Sequence, residues 1–143
     1  MATLDTSTIR DALEEAGLEI YRAQPDEIAI AERVRLHIMD SGVRVVLGGR
    51  PSVRFTVRCQ RSDFPNASPD DLLDRVRSIV GEAALARGFA EFGTRVHPVT
   101  DPVDDSRVLD VWHEVVYDKS VEGLPELVEE VRWALEVEKY VTA

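Results

Sequence analysis

Hydrophobic side chains occupy every second position over much of the segment from Glu27 to Gln60. The alternation is interrupted at Asp40-Ser41-Gly42 and at Gly48-Gly49, where glycine tolerates the positive φ of a tight turn. A period of two is typical of β-strands, because successive side chains point to opposite faces of a sheet. The sequence therefore predicts an antiparallel β-meander over residues 28–60.

The positions between these hydrophobic residues carry mostly basic side chains. On the face opposite the core we expect Arg33, Arg35, His37, Arg44, Arg54 and Arg58. Such a face either keeps the sheet soluble by pairing with neighbouring carboxylates or binds a partner, and both interpretations stay open at this point.

A period near 3.6 residues predicts three amphipathic helices. They cover residues 7–16, residues 69–87 and a last segment from about Val121 or Pro125 to Tyr140. Ser68-Pro69 marks the start of the second helix, with a capping serine before a proline at the first helical position. This helix is expected to lie on the apolar face of the meander. The predicted core contains Val34, Leu36, Val45, Phe55, Val57, Leu73, Val76 and Val80.

Shorter alternating runs predict strands near Leu18 to Tyr21, at 89–97 and at 107–117. The element order is then α-β-β-β(-β)-α-β-β-α, with an extra strand before the meander as the variable part. This order is typical of the α+β class. A length of 143 residues suits one domain with its own core. We therefore expect a single α+β domain over residues 1–143, with an antiparallel sheet packed against helices.

The last predicted helix is apolar on two sides. Trp133, Val137 and Tyr140 fall away from its main apolar stripe. Such a surface is covered either by a loop of the same chain or by a second molecule. We expect a two-fold homodimer with this helix as the contact, and the edge of the sheet is the alternative contact.

The charge of the chain is distributed unevenly. The net charge is -10, yet residues 33–61 hold seven arginines against Asp40 alone, which gives +6 there and -16 elsewhere. An acidic protein repels nucleic acid at long range, and the basic face lacks exposed aromatic side chains for stacking on bases. Binding of nucleic acid through Arg33, Arg35, Arg44, Arg54 and Arg58 is therefore an unlikely alternative.

Neither a membrane-spanning run nor a signal-peptide pattern is visible, and the single Cys59 excludes an internal disulfide bond. These features predict a cytoplasmic protein without a membrane partner. Cys59 occupies an apolar position of a strand, so its thiol is expected to be buried and inert.

No catalytic or cofactor motif is present in the sequence. The three histidines, at 37, 97 and 113, have no mutual spacing suited to a metal site, and we expect neither metal nor cofactor. The alternative is a small enzyme whose site is dispersed over the last two strands, with His113, Glu114 and Arg95. On balance a non-enzymatic binding module fits the sequence better.

The C-terminal run DVWHEVVYDKSVEGLPELVEEVRWALE and the element order resemble the type III secretion chaperone-like fold, including bacterial YbjN-like proteins. The resemblance implies a small acidic homodimer that acts like a chaperone or adaptor. Its partner would be another protein, held as an extended segment along the sheet or its grooves. It implies no catalytic residue.

Overall fold

The computed structural model describes residues 5 to 142 and confirms the α+β class, with an antiparallel sheet packed against helices. The strands are β1 (Ile20–Gln24), β2 (Glu27–Val34), β3 (His37–Val46), β4 (Ser52–Gln60), β5 (Ala90–Thr100), β6 (Val108–Ser120) and β7 (Tyr140–Val141). The helices are α1 (Thr6–Glu15), α2 (Pro69–Val76), α3 (Glu82–Ala86) and α4 (Leu124–Glu136). A short 3₁₀ turn covers Arg61–Asp63, and a π-helical turn, Arg77–Gly81, joins α2 to α3.

The strands follow the order β1-β2-β3-β4-β6-β5, and β7 pairs with β4 in the parallel direction. The first and last strands of this order, β1 and β5, are therefore its two edges. Contacts divide the chain into two compact units. One comprises the residues up to Phe55 together with Asp118–Val137, and the other comprises Thr56–Tyr117 together with the residues from Glu138.

The first unit buries the apolar sides of α1, β2, β3 and α4. Asp5 caps α1 by accepting a 2.7 Å hydrogen bond from the Thr8 amide. The core of this unit contains Ile9, Leu13, Ile28, Ile30, Val43, Val45, Val53, Phe55, Leu127, Val131 and Ala134.

The hairpin of β2 and β3 corrects the predicted position of the turn. The chain reverses at Arg35-Leu36, with Arg35 at a φ of 58°, whereas β3 continues through Ser41-Gly42. Ser41 donates a 2.6 Å hydrogen bond to the Ile30 carbonyl, and the strand register shifts there. This segment is thus an irregularity within the strand instead of a turn.

The outer end of this hairpin is exposed to solvent, so the predicted burial of Val34 and Leu36 is wrong. Leu36 is 95% exposed and Val34 is 44% exposed. Alternation correctly assigns a side chain to a face, but it does not show how far along the strand that face is covered. The other predicted meander residues, Val45, Phe55 and Val57, are fully buried.

The second unit confirms the helix predicted over 69–87 and adds its π-helical turn. Ser68 and Asp71 form the capping box at its start. The extra residue of the π turn rotates the apolar stripe, which explains why Ile79 is exposed while Val76 and Val80 are buried. The predicted core residue Leu73 is only half-buried. The core contains Val57, Cys59, Leu72, Val76, Val80, Ala84, Phe89, Val115 and Tyr117.

The last helix ends at Glu136, four residues before the predicted end. Val137 has an extended conformation, and Tyr140 belongs to β7, where it lies opposite Arg58. Within the first unit, Trp133 packs edge-to-face on Phe55 with ring centroids 5.8 Å apart. Trp133 is thus half-buried against its own chain, and the exposed Tyr140 lies on β7 and not on the helix.

Candidate partner-binding site

Arg44 is held on the outer face of the first unit by two carboxylates. Its Nη1 and Nη2 donate to the two oxygens of Asp40 at 2.6 Å each, and its Nε lies 2.9 Å from Glu27 Oε1. Burial alone would raise the pKa of Asp40. The hydrogen bonds from Arg44 and from the Gly42 amide outweigh that effect, so the pKa lies below its usual range.

Arg54 is neutralised in the same way. Its Nε donates to Asp118 Oδ2 at 3.0 Å, and Ser52 donates to the same oxygen at 3.0 Å. Two arginines of the predicted basic face are thus committed to carboxylates of their own sheet. Because each guanidinium is paired with a carboxylate, they offer little net positive charge to a phosphate backbone.

Arg58 takes part in a different arrangement in the second unit. Its guanidinium carbon lies 4.3 Å from the centroid of the Trp112 ring and 5.4 Å from that of Tyr140. On the other side His97 packs on Trp112, with centroids 5.7 Å apart. The four side chains come from β5, β6, β4 and β7, which are neighbours in this order. We call His97, Trp112, Arg58 and Tyr140 the stacked row.

Arg58 of the stacked row also pairs with a buried carboxylate. Glu114 Oε1 is 3.6 Å from Arg58 Nη2, and the Glu114 side chain is only 8% exposed. This distance exceeds that of a hydrogen bond, so the pair is an ion pair without close donor geometry. The Arg58 amide also donates to the Lys139 carbonyl at 2.9 Å, which attaches β7 to β4. Arg58 therefore has a structural role at the C-terminal end of the chain.

The other three residues of the predicted basic face lie at the end of the β2–β3 hairpin. Arg33, Arg35 and His37 are all exposed, and Arg33 pairs with Glu19. The structure thus separates the predicted set: Arg33, Arg35 and His37 surround an exposed hairpin end, whereas Arg44, Arg54 and Arg58 are half-buried and paired.

The strand β5 has an open outer edge. It has eleven residues, and no strand within residues 5–142 pairs with the side that faces away from β6. Phe92 is 60% exposed and Val96 is 66% exposed. Arg95 is also exposed, and no ion pair joins it to another residue of the described chain. An edge of this kind presents unpaired backbone donors and acceptors to a further strand.

A proline residue restricts how far an added strand can pair along each of the two open edges. Pro98 lies within β5 and cannot donate a backbone hydrogen bond, so pairing along the outer edge is most favourable before it. The opposite edge, β1, has only five residues and is followed directly by Pro25. β5 is therefore the longer of the two surfaces for strand addition.

The dispersed enzyme site does not assemble. His113 and Glu114 are consecutive residues of β6, and the carboxylate of Glu114 reaches Arg58, so alternation places the imidazole on the opposite face. His113 is buried, and its Nδ1 has no hydrogen-bond partner within the described chain. Arg95, the third residue, lies exposed on β5. The three side chains therefore do not face one common cleft.

A surface pocket of about 720 Å³ lies elsewhere in the second unit. Its walls are Asp63, Phe64, Pro65, Asn66, Ala67, Asp71, Asp74, Arg75 and Ser78. Arg75 covers the Phe64 ring at 4.3 Å, and Asp71 belongs to the capping box of α2. Between residues 5 and 142 no cluster of three or more histidine, cysteine or acidic side chains is suited to a metal ion.

Cys59 is fully buried, as its position in the strand predicts. Burial raises the pKa of its thiol, and the nearby Arg75 only partly opposes this effect. The thiol is therefore mostly protonated near neutral pH, when a cysteine nucleophile would need to be a thiolate.

The sequence pattern does not show that the four side chains of the stacked row lie together, or that β5 has an open edge. Arg58 and Tyr140 were named for other reasons, but His97 and Trp112 join them only through the strand order, which one sequence does not fix. Phe92, Thr94 and Val96 alternate along the sequence with Arg95 and His97. This pattern indicates a strand whose two faces are both open to solvent.

No family model, curated protein or solved structure matches this chain. In the described part of the chain, none of the helices has both the length and the apolar character required to cross a membrane.

Proposed function

We propose that this protein is a non-enzymatic protein-binding module of the chaperone or adaptor kind, which holds an extended segment of another protein along β5. One observation carries the proposal: β5 is a long, exposed edge strand whose outer side is unpaired in the described structure. An extended segment that pairs there satisfies backbone groups on both strands, which is the physical basis of recognition by strand addition.

Three further observations and the resemblance support a binding module over the alternatives. The candidate enzyme residues do not face one cleft, and Arg44 and Arg54 are occupied by carboxylates. Val96 offers an exposed apolar contact beside the edge, which an added strand would cover. The resemblance to secretion chaperone-like proteins implies the same kind of partner, an extended protein segment.

The homodimer stays a prediction, and the structure changes where its contact is expected. Trp133 is half-buried against Phe55 of its own chain, so the last helix exposes less aromatic surface for an interface than the sequence suggests. A sheet edge, the other predicted contact, becomes the better one. For β5 itself we assign a partner segment as the occupant, and self-pairing of β5 is an outcome that the test must detect.

Selection and hydrogen exchange test this assignment. Peptides of about ten residues, which exceed the length of an average strand, are selected from a random display library for binding to the wild type. Amide hydrogen exchange is then measured with and without them. We expect slower exchange in β5 before Pro98 and unchanged exchange in β1. Protection confined to β1 or to the β2–β3 hairpin overturns the proposed site, and a rise in mass to a dimer through β5 without peptide overturns the proposed occupant.

Adjacent proline substitutions supply a matched pair. The amides of consecutive strand residues point to opposite edges, so one of Thr94→Pro and Arg95→Pro removes an outward donor and the other removes a bond to β6. The first kind of change should abolish peptide binding with little loss of stability. Undiminished binding by both folded variants would contradict strand addition at β5.

A further inference from the structure

The charges on β5 leave one positive group without a partner. Glu91, the acidic residue of the strand, is held by Arg77 through hydrogen bonds of 2.7 and 3.2 Å. Arg95 has no ion pair within residues 5–142. Of the two charged side chains of β5, Arg95 is therefore the one without an ion-pair partner in the described chain, although the protein as a whole carries a net charge of -10.

Arg95 and His97 lie two positions apart on β5, so their side chains share one face of the strand. The packing of His97 on Trp112 fixes this face as the one that carries the stacked row. The acidic groups of that face are already occupied, because Glu114 pairs with Arg58 and Asp110 accepts two hydrogen bonds from Ser62. No carboxylate of these two residues is available to neutralise Arg95.

We infer that acidic and apolar residues alternate in the segment bound along β5, and that its carboxylate side chains lie opposite Arg95 and His97. This inference rests on the proposed function. A strand added to β5 would lie about 4.8 Å away, and directly opposed side chains would be within reach of an ion pair. On its other face the segment presents apolar side chains, preferably β-branched, next to Val96.

The preference for an acidic segment depends on the contact with Arg95, although the protein as a whole is acidic. At physiological ionic strength, charges more than about 8 Å apart are largely screened, so the distant carboxylates act weakly on a bound segment. Arg58 lies two strands further into the sheet and is out of reach of an added strand, given strand spacings of about 4.8 Å. The stacked row therefore acts by holding His97 in place through Trp112, whereas Arg95 makes the contact.

Four synthetic peptides test the inference. In the first, glutamate alternates with valine; in the second and third, glutamine or lysine replaces glutamate. The fourth is the glutamate peptide with alternate backbone amides methylated, which removes the donors of one edge. Fluorescence anisotropy in 150 mM salt, a physiological ionic strength, measures each dissociation constant with the wild type, with Arg95→Glu and with Arg35→Glu. The last variant is the matched control, because Arg35 is also exposed but lies in the hairpin turn of the first unit.

We expect the glutamate peptide to bind the wild type about threefold to tenfold more tightly than the glutamine peptide, from the usual strength of opposed charged pairs. Arg95→Glu should reverse the order so that the lysine peptide binds best, whereas Arg35→Glu should leave the order unchanged. The methylated peptide should not bind.

The possible failures are distinguishable. If the glutamate and glutamine peptides bind equally and methylation abolishes both, the acidic preference is wrong and strand addition stands. If no peptide binds, or if methylation has no effect, strand addition itself is overturned. Tighter binding of single-stranded oligouridylate than of the glutamate peptide, lost in Arg95→Glu, would replace the protein segment by nucleic acid and overturn both proposals.

Discussion

The guanidinium of Arg58 stacks on the ring of Trp112, with 4.3 Å between its central carbon and the ring centroid. Because its ion-pair partner Glu114 is buried, Arg58 provides both a stacking surface and the counter-charge of a carboxylate with little access to water. The contact joins β4 to β6, and the same guanidinium lies near Tyr140 of β7. Arg58 thus links side chains of β4, β6 and β7.

Replacing Arg58 tests this link. Arg58→Ala should lower the free energy of unfolding by about 1–3 kcal/mol, since it removes two aromatic contacts and leaves a buried carboxylate without its cation. Urea denaturation followed by circular dichroism measures the change. In the double variant with Glu114→Gln, part of the loss should return because no buried charge remains. Equal losses in the single and double variants would mean that the ion pair has no energetic weight.

The pair of Asp40 and Arg44 predicts a dependence of stability on pH. The pKa of Asp40 is lower in the folded protein than in the unfolded chain, so its ionised form stabilises the fold above the unfolded value of about 4. That contribution is lost as the pH falls through the folded value. Asp40→Asn should cost about 1–2 kcal/mol at pH 7, and the difference from wild type should disappear in strong acid.

The matched control for this pH series is Asp105→Asn. Asp105 is exposed in the loop before β6 and has no hydrogen bond or ion pair in the described structure. Urea denaturation between pH 7 and about pH 2.5, which spans the usual titration range of aspartate, should leave this variant parallel to wild type. A constant difference for Asp40→Asn at every pH would show that the substitution acts through packing instead of charge.

Gly81 and Tyr117 form a close contact in the core of the second unit. A Cβ atom added at Gly81 would lie 2.7 Å from the Tyr117 hydroxyl, and Tyr117 is fully buried. Gly81→Ala should therefore destabilise the protein by about 1–3 kcal/mol through overpacking, although alanine favours helices. Tyr117→Phe in the same chain should recover part of this loss by removing the oxygen.

Gly93→Ala serves as the control for this substitution, because nothing lies within 4 Å of its added Cβ. Its thermal unfolding temperature should remain close to that of wild type. A Gly81→Ala variant as stable as Gly93→Ala would contradict the close packing of the π-helical turn against Tyr117.

The sequence predicts the class of each major element because the two hydrophobic periods are strong and local. Residues 28–60 show the period of strands and residues 69–87 that of a helix, and both are confirmed. Turn positions are less certain from sequence. Asp40-Ser41-Gly42 has the composition of a turn, yet the hairpin reverses at Arg35-Leu36, a pair without glycine or proline.

The candidate site depends on long-range pairing, which explains why the sequence reveals only part of it. The arginines of β3 and β4 are predictable from alternation, but Asp118 and Glu114 become the partners of the two β4 arginines only because β6 lies beside β4. β7 was missed because Trp133, Val137 and Tyr140 continue an approximate helical spacing beyond the real end at Glu136. A single sequence also does not show which strand lies at the edge of the sheet.

The exposed end of the β2–β3 hairpin makes a further prediction. Leu36→Ala should change the free energy of unfolding by less than about 0.5 kcal/mol, since the side chain is already in solvent. The same substitution at the fully buried Leu127 should cost about 2–5 kcal/mol through lost burial and a cavity. Chemical denaturation of both variants gives the comparison. A large loss at Leu36 would show that the hairpin end is covered in solution, most simply by a second molecule.

Substitution of Trp133 distinguishes a role of this side chain in folding from a role in association. Its edge-to-face contact with Phe55 predicts that Trp133→Ala lowers the free energy of unfolding by about 1–3 kcal/mol, less than for a fully buried aromatic side chain because Trp133 is half-buried. If Trp133 were an interface residue, the same change would instead weaken association while the monomer remained stable. Light scattering over a range of concentrations, combined with urea denaturation, distinguishes the two. We expect the variant to show reduced stability and the same mass as wild type at every concentration at which both are folded. A stable variant that has lost a dimer present in the wild type would restore the last helix as the interface.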